Sequence, residues 1–119
     1  MLKREYRLKK KYQFNYVYRV GKTAHGKFLV AVYSPSKNKN VRIGISVSKK
    51  VGNAVQRNRA RRLLREAISQ FLDKLDPNFN IIIVGKQSIL EQKSDSVTAD
   101  LKAVLERTDL LSWKSSSPF

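Results

Sequence analysis

The chain has 119 residues, enough for one domain with a modest core, and 41% of them are apolar, too many for a disordered polybasic tail. Its 25 Lys and Arg against 9 Asp and Glu leave a net charge of +16, which calls for a polyanionic partner. Absence of cysteine excludes disulfides and thiolate metal sites, and no stretch has the apolar length of a secretory signal or a bilayer span, so a cytoplasmic protein without a membrane role is expected. An anionic membrane surface is the lesser candidate, because the apolar side of the one strongly basic helix has the spacing of core packing.

The charge is sorted along the chain. Residues 1–72 hold 19 Lys and Arg with 2 acids, a net of +17, whereas residues 73–119 hold 6 with 7 acids, a net of −1. A charge serving only solubility has no reason to divide this way.

Residues 1–11 are dominated by Lys and Arg and are expected to form a mobile basic arm. Residues 9–20, KKKYQFNYVYRV, predict a short helix ended by Gly21. Tyr12, Tyr16 and Val20 fall on one side of it, and Phe14, Val17 and Tyr18 on the other. One side packs on the domain and the opposite side then displays aromatic surface, unless all four aromatics are core; the sequence does not choose. Aromatics interleaved with cations are also how proteins stack on unpaired bases.

GKFLVAVYS, residues 26–34, predicts a strand buried along most of its length, and the polar loop 35–40 permits a hairpin to the next strand. Residues 41–48 alternate: Val41, Ile43, Ile45 and Val47 point one way, Arg42, Gly44, Ser46 and Ser48 the other. That second face is small as well as polar, so a ligand's backbone could approach it closely.

The stretch KKVGNAVQRNRARRLLR, residues 49–65, carries seven cations and no acid. Asn53 with Gln56 three residues on has the pattern of a capping box, and the helix it opens is expected to reach Leu72 or Leu75 before Pro77. Arg57, Arg61, Arg65 and Arg62, with Asn58 among them, fall along one side; Ala60, Leu63, Leu64, Ala67, Ile68 and Phe71 form the other. Like charges at i,i+4 destabilise a helix, so an uncompensated row of arginines needs an external anion, and guanidinium forks suit phosphate. A merely solvated basic face would mix in acids and lysines.

FNIIIVG, residues 79–85, predicts a buried strand, and the helical crossover makes it parallel to 41–48. A last helix spans about residues 95–107, with Val97, Leu101, Val104 and Leu105 at core spacing. The sum is an α+β fold: a single-domain α–β sandwich over residues 1–111, with a mixed sheet of three to four strands and helices mainly on one face. Residues 112–119 form a frayed, disordered tail.

No catalytic constellation accompanies this surface. His25 is the one histidine, there is no nucleophile elbow, P-loop or dinucleotide fingerprint, and no metal-ligand spacing occurs. No catalytic residue and no metal ligand is assigned, and no small-molecule substrate is expected.

The block Gly44-Ile45-Ser46-Val47-Ser48-Lys49-Lys50-Val51-Gly52-Asn53-Ala54-Val55, followed by Arg57-Asn58-Arg59, Arg61-Arg62 and Arg65-Glu66, closely resembles the motif of the bacterial ribonuclease P protein component. The aromatic first helix and the GKFLVAVY and FNIIIVG strands follow in matching order, so the resemblance covers about residues 3–107. It implies a subunit of the ribonucleoprotein that removes the 5′ leader of precursor tRNA, with the catalytic centre and its Mg²⁺ ions held mainly by the RNA subunit. Carried over residue by residue, RNA-subunit contacts fall on Lys49, Lys50, Asn53, Arg57, Asn58, Arg59, Arg61, Arg62 and Arg65. A cleft between the first helix and the sheet would hold the leader through Phe14 and Tyr18, with Ala31 at the strand position and Tyr33 two residues on. The resemblance also implies a left-handed strand–helix–strand crossover, against the usual right-handed rule. The competing readings are a ribosomal-protein-like RNA-binding protein or RNA chaperone, and a protein-only nuclease.

Overall fold

A strand apolar on both faces is satisfied only in the middle of a sheet. Phe79–Gly85 takes that place in the computed structural model, which describes residues 6–37, 41–108 and 110–111. The elements in order are α1 (Lys11–Val20), β1 (Lys22–His25), β2 (Leu29–Pro35), β3 (Arg42–Ser46), α2 (Ala54–Ser69), β4 (Phe79–Gly85) and α3 (Ser94–Glu106). Sheet order is β1-β2-β4-β3, with β3 parallel to β4 and the other pairs antiparallel.

Ile81, Ile82 and Ile83 of β4 have no exposed surface, and this explains why the permitted hairpin between β2 and β3 does not form. The most apolar strand displaces that pairing and inserts between the two. β1 was not foreseen: KTAH has neither an apolar run nor a clear alternation, and it is ordered by pairing Lys22 to His25 with Tyr33 to Val30.

The two sheet faces carry different cores. Leu29, Ala31, Ile43, Ile81 and Ile83 pack with Ala60, Leu64 and Ile68 of α2 and with Val97, Leu101, Val104 and Leu105 of α3. On the other face Val17 of α1 meets Leu8, Val32 and Ile82. Two helices therefore cover one face and α1 crosses the other. α3 carries the core positions its spacing predicts, while α2 stops at Ser69, short of the expected end, and a 3-10 turn follows over Leu72–Lys74.

Asp100, on α3, is 8% exposed and binds the turn before β2: its carboxylate accepts Lys27 N–H at 2.9 Å and Phe28 N–H at 2.8 Å. Residues 6–10 are no mobile arm either. Leu8 is 6% exposed, its N–H donates to Ile43 O at 2.9 Å, and Arg7 bridges Ile43 in the parallel sense, covering part of the β3 edge. Residues 1–5 and the expected tail 112–119 lie outside the described residues.

Gly21 does end α1, though with φ −78° and ψ 160° rather than in the left-handed region. Its glycine is required by crowding: a Cβ there would stand 2.4 Å from Val17 O and 2.8 Å from Tyr33 O.

Candidate nucleic-acid interface

The local sequence opens α2 as its pattern predicts. Asn53 Oδ1 accepts the Gln56 N–H and Gln56 Oε1 accepts the Asn53 N–H, both at 2.9 Å, so two of the helix's orphan donors are satisfied reciprocally. Lys49 and Lys50 stand exposed on the 3-10 turn just before, over the buried anchor Val51.

Burying Ala60, Leu64 and Ile68 forces Arg57, Arg61 and Arg65 to the border of the buried stripe, where all three are half-buried, with Arg62 and Asn58 farther round and exposed. The row is pre-oriented: Arg57 Nε–H donates to Gly52 O at 3.2 Å and Arg61 Nη1–H to Asn58 Oδ1 at 2.8 Å. Asn58 thus holds Arg61 in place, a role its sequence position did not disclose. Among the described residues none of Arg57, Arg61, Arg62 or Arg65 pairs with a carboxylate. Four guanidiniums with most of their donors unused form an anion-binding surface.

Arg59 departs from that group. It lies on the opposite flank of α2, where its guanidinium donates to Leu90 O at 3.0 Å and Gln92 O at 2.8 Å. It fastens α2 to the turn after β4. The 3.6-residue period alone separates it from the row; its partners are too distant in sequence to foresee.

On the α1 side of the sheet, Val17 is the anchor and Phe14 stands beside it over β3. The Phe14 ring lies so close above Gly44 that a Cβ there would be 2.5 Å from Cε2 and 2.6 Å from Cζ. Phe14, Val30 and Val84 are half-buried around the same small core, and Tyr18, one turn on from Phe14, is 45% exposed. With Gly44 and the half-buried Ser46 on the same strand face, this makes a shallow aromatic-walled groove with an apolar floor. The small face of β3 was legible in the sequence; the floor residues Val30 and Val84 were not assigned.

Two expected groove residues are elsewhere. Ala31 and Tyr33 pair across β2–β4 with Ile83 and Ile81, and all four belong to the α2–α3 side. Ala31 has no exposed surface there, and Tyr33 packs edge-on to Phe79 with ring centroids 6.0 Å apart. A strand apolar on both faces gives no parity signal, so the face could not be read from β2 alone.

The groove and the basic stretch that leads into the arginine row are joined by an anchored link. Only Val47 and Ser48 separate the end of β3 from Lys49, and Val47 and Val51 are both buried. Among the described residues, no three His, Cys, Asp or Glu side chains gather where a metal ion could be held.

The sequence model described as Ribonuclease P matches residues 2–109. The chain belongs to that family. The ribonuclease P protein component of Bacillus cereus (strain Q1) is 36% identical over 110 residues, covering 92% of this chain and 96% of that one. That of Bacillus anthracis is 34% identical over 116 residues, covering 97% and 98%. Among solved structures, the Staphylococcus aureus RNase P protein aligns with a TM-score of 0.77 at 30% identity, covering 89% of this chain and 97% of that chain. The RNase P protein of Thermotoga maritima shares the fold, with a TM-score of 0.77 at 23% identity over 86% and 96%. Membership in the ribonuclease P family implies an RNA partner in a complex and favours this reading over a ribosomal-protein-like protein or a chaperone. No helix among the described residues is long and apolar enough to cross a membrane.

Proposed function

We propose that this chain is the protein subunit of a cytoplasmic ribonuclease P ribonucleoprotein and that it holds two RNAs at once. Lys49, Lys50, Asn53 and the row Arg57, Arg61, Arg62 and Arg65 dock on phosphates of the catalytic RNA subunit, with Asn58 positioning Arg61. The groove beside Phe14 and Tyr18 takes the single-stranded 5′ leader of precursor tRNA by stacking. Mature tRNA has no leader, so that second contact favours substrate over product.

The observation that supports this most is the row of half-buried Arg57, Arg61 and Arg65 without carboxylate partners, the first two held by hydrogen bonds, on the helix that follows a groove whose wall is an aromatic ring on glycine. Guanidiniums held in fixed orientation suit bidentate phosphate binding, and each base stacked on an aromatic contributes roughly 1–3 kcal/mol.

Hydrolysis is assigned to the RNA. Mg²⁺ bound there would supply charge neutralisation and an activated water, and among the described residues of this chain no three acids or other ligands gather to hold such an ion. Asp100, the one buried acid among the described residues, already accepts two backbone N–H groups. What the protein does is bind, orient and screen.

Reconstitution tests the reading. Cleavage of precursor tRNA only when both the RNA subunit and the protein are present at low Mg²⁺ is the expected result. Cleavage by the protein alone would make it a nuclease in its own right, and binding without any effect on cleavage would make it a chaperone.

A further inference from the structure

α1 has a second flank that the leader groove leaves unused. Tyr12 and Tyr16 lie one turn apart on it, 68% and 49% exposed, and with Gln13, Asn15, Arg19 and Asn80 they line a surface pocket. Single exposed tyrosines need no explanation. This pair is different in its surroundings. The Arg19 guanidinium lies 5.7 Å from the Tyr16 ring centroid, stacked over one face and leaving the other.

The electrostatics have one sign: residues 6–65 contain no Asp or Glu, and Lys9, Lys10, Lys11 and Lys22 flank the pocket residues in sequence. Aromatic faces, a planar cation and an acid-free border are the elements of a single-strand platform rather than of a protein-binding surface.

We propose that this flank of α1 binds the upstream part of the precursor's leader, continuing the path that begins in the Phe14–Tyr18 groove. A leader leaving that groove across α1 has only the width of one helix to cross before it meets Tyr12 and Tyr16. Bases stack on the two tyrosines and Arg19 meets the backbone. The inference rests on the leader reading above, and adds that affinity depends on leader length in two steps.

The experiment uses the holoenzyme with a nested series of precursor tRNAs whose leaders differ by single nucleotides, alongside mature tRNA. Wild-type affinity should rise once as the Phe14–Tyr18 groove fills and again as the strand reaches the second flank. The Tyr12→Ala/Tyr16→Ala double variant should remove the second rise, about fivefold or more, and leave short leaders unchanged. Tyr12→Phe/Tyr16→Phe should keep it, since the ring face is retained, and unchanged far-UV circular dichroism separates this from misfolding. Loss by the same factor at every length, no loss at any length, or no second rise in the wild type would each overturn the proposal. Should Phe14→Ala prove inert while the second rise persists, the groove assignment fails and the platform stands.

Discussion

Gly44 offers the sharpest test of the groove, because a single methyl group there is aimed at the ring that forms its wall. In Gly44→Ala the new Cβ would stand 2.5 Å from Phe14 Cε2, closer than van der Waals contact allows, so one of the two must move. β3 is hydrogen-bonded to β4 and flanked by Leu8, whereas Phe14 is half-buried with its ring end toward the groove. The ring therefore yields. Overpacking of this kind costs about 1–3 kcal/mol, and removing a strand glycine returns about 0.5–1 kcal/mol, so stability should fall by about 0–2.5 kcal/mol. Leader binding should fall further, by the roughly 1–3 kcal/mol of one stacked base, or about 5- to 150-fold in precursor affinity. A double-mutant cycle with Phe14→Ala isolates the mechanism: once the ring is gone, Gly44→Ala should cost nothing more in precursor affinity. Urea denaturation and parallel titrations of precursor and mature tRNA supply both readouts. Additive losses in the double variant, or equal losses for the two tRNAs, would refute the argument.

Asp100→Ala leaves two backbone N–H groups at the edge of the core without their charged acceptor, and should cost about 2–4 kcal/mol in urea denaturation, with Asp100→Asn recovering part. Arg57→Gln/Arg61→Gln/Arg65→Gln should weaken assembly with the RNA subunit and lower the slope of log affinity against log salt by about 2–3, since roughly 0.7–0.9 of a counterion is released per phosphate contact; an unchanged slope would move the interface elsewhere. Arg59→Ala should behave in the opposite sense, costing about 1 kcal/mol of stability through the carbonyls of Leu90 and Gln92 while changing the salt slope less than any single member of the row.

What could be read from the chain and what could not divide along the range of the interactions involved. The capping box at Asn53, the i,i+4 arginine row and the core face of α3 are set by residues within one or two turns, and periodicity exposes them. The parallel pairing of β3 and β4 followed from the length of the crossover between them. What the sequence did not disclose has distant partners. Leu8 is ordered by Ile43, β1 by β2, and Arg59 by carbonyls after β4, contacts no local pattern announces. Ala31 and Tyr33 went to the other side of the sheet for a related reason. β2 is apolar on both faces, so the side that α1 crosses is a choice made by α1, by Gly44 and by the position of β4.

The sorting of charge along the chain follows from the topology. The arginine row and the aromatic residues of α1 both come from residues 6–65, which contain no acid. The chain after Glu66 supplies β4 and α3, whose task is to fill the centre of the sheet and cover its far face. The earlier half contributes its share of the core through inward-facing positions such as Leu29, Ile43 and Leu64, and carries its like charge on the outward-facing ones. The buried anchors Val47 and Val51 then matter for more than packing. They pin residues 47–51, between the groove and the helix that carries the arginine row, so that on the proposed reading a leader in one and an RNA subunit on the other are set at a defined separation and orientation. A flexible link would let each contact form without constraining the other, and two independent affinities would not place a scissile bond. On the proposed reading, holding two surfaces in one rigid body converts binding energy into register, a contribution that asks for no catalytic group from the protein.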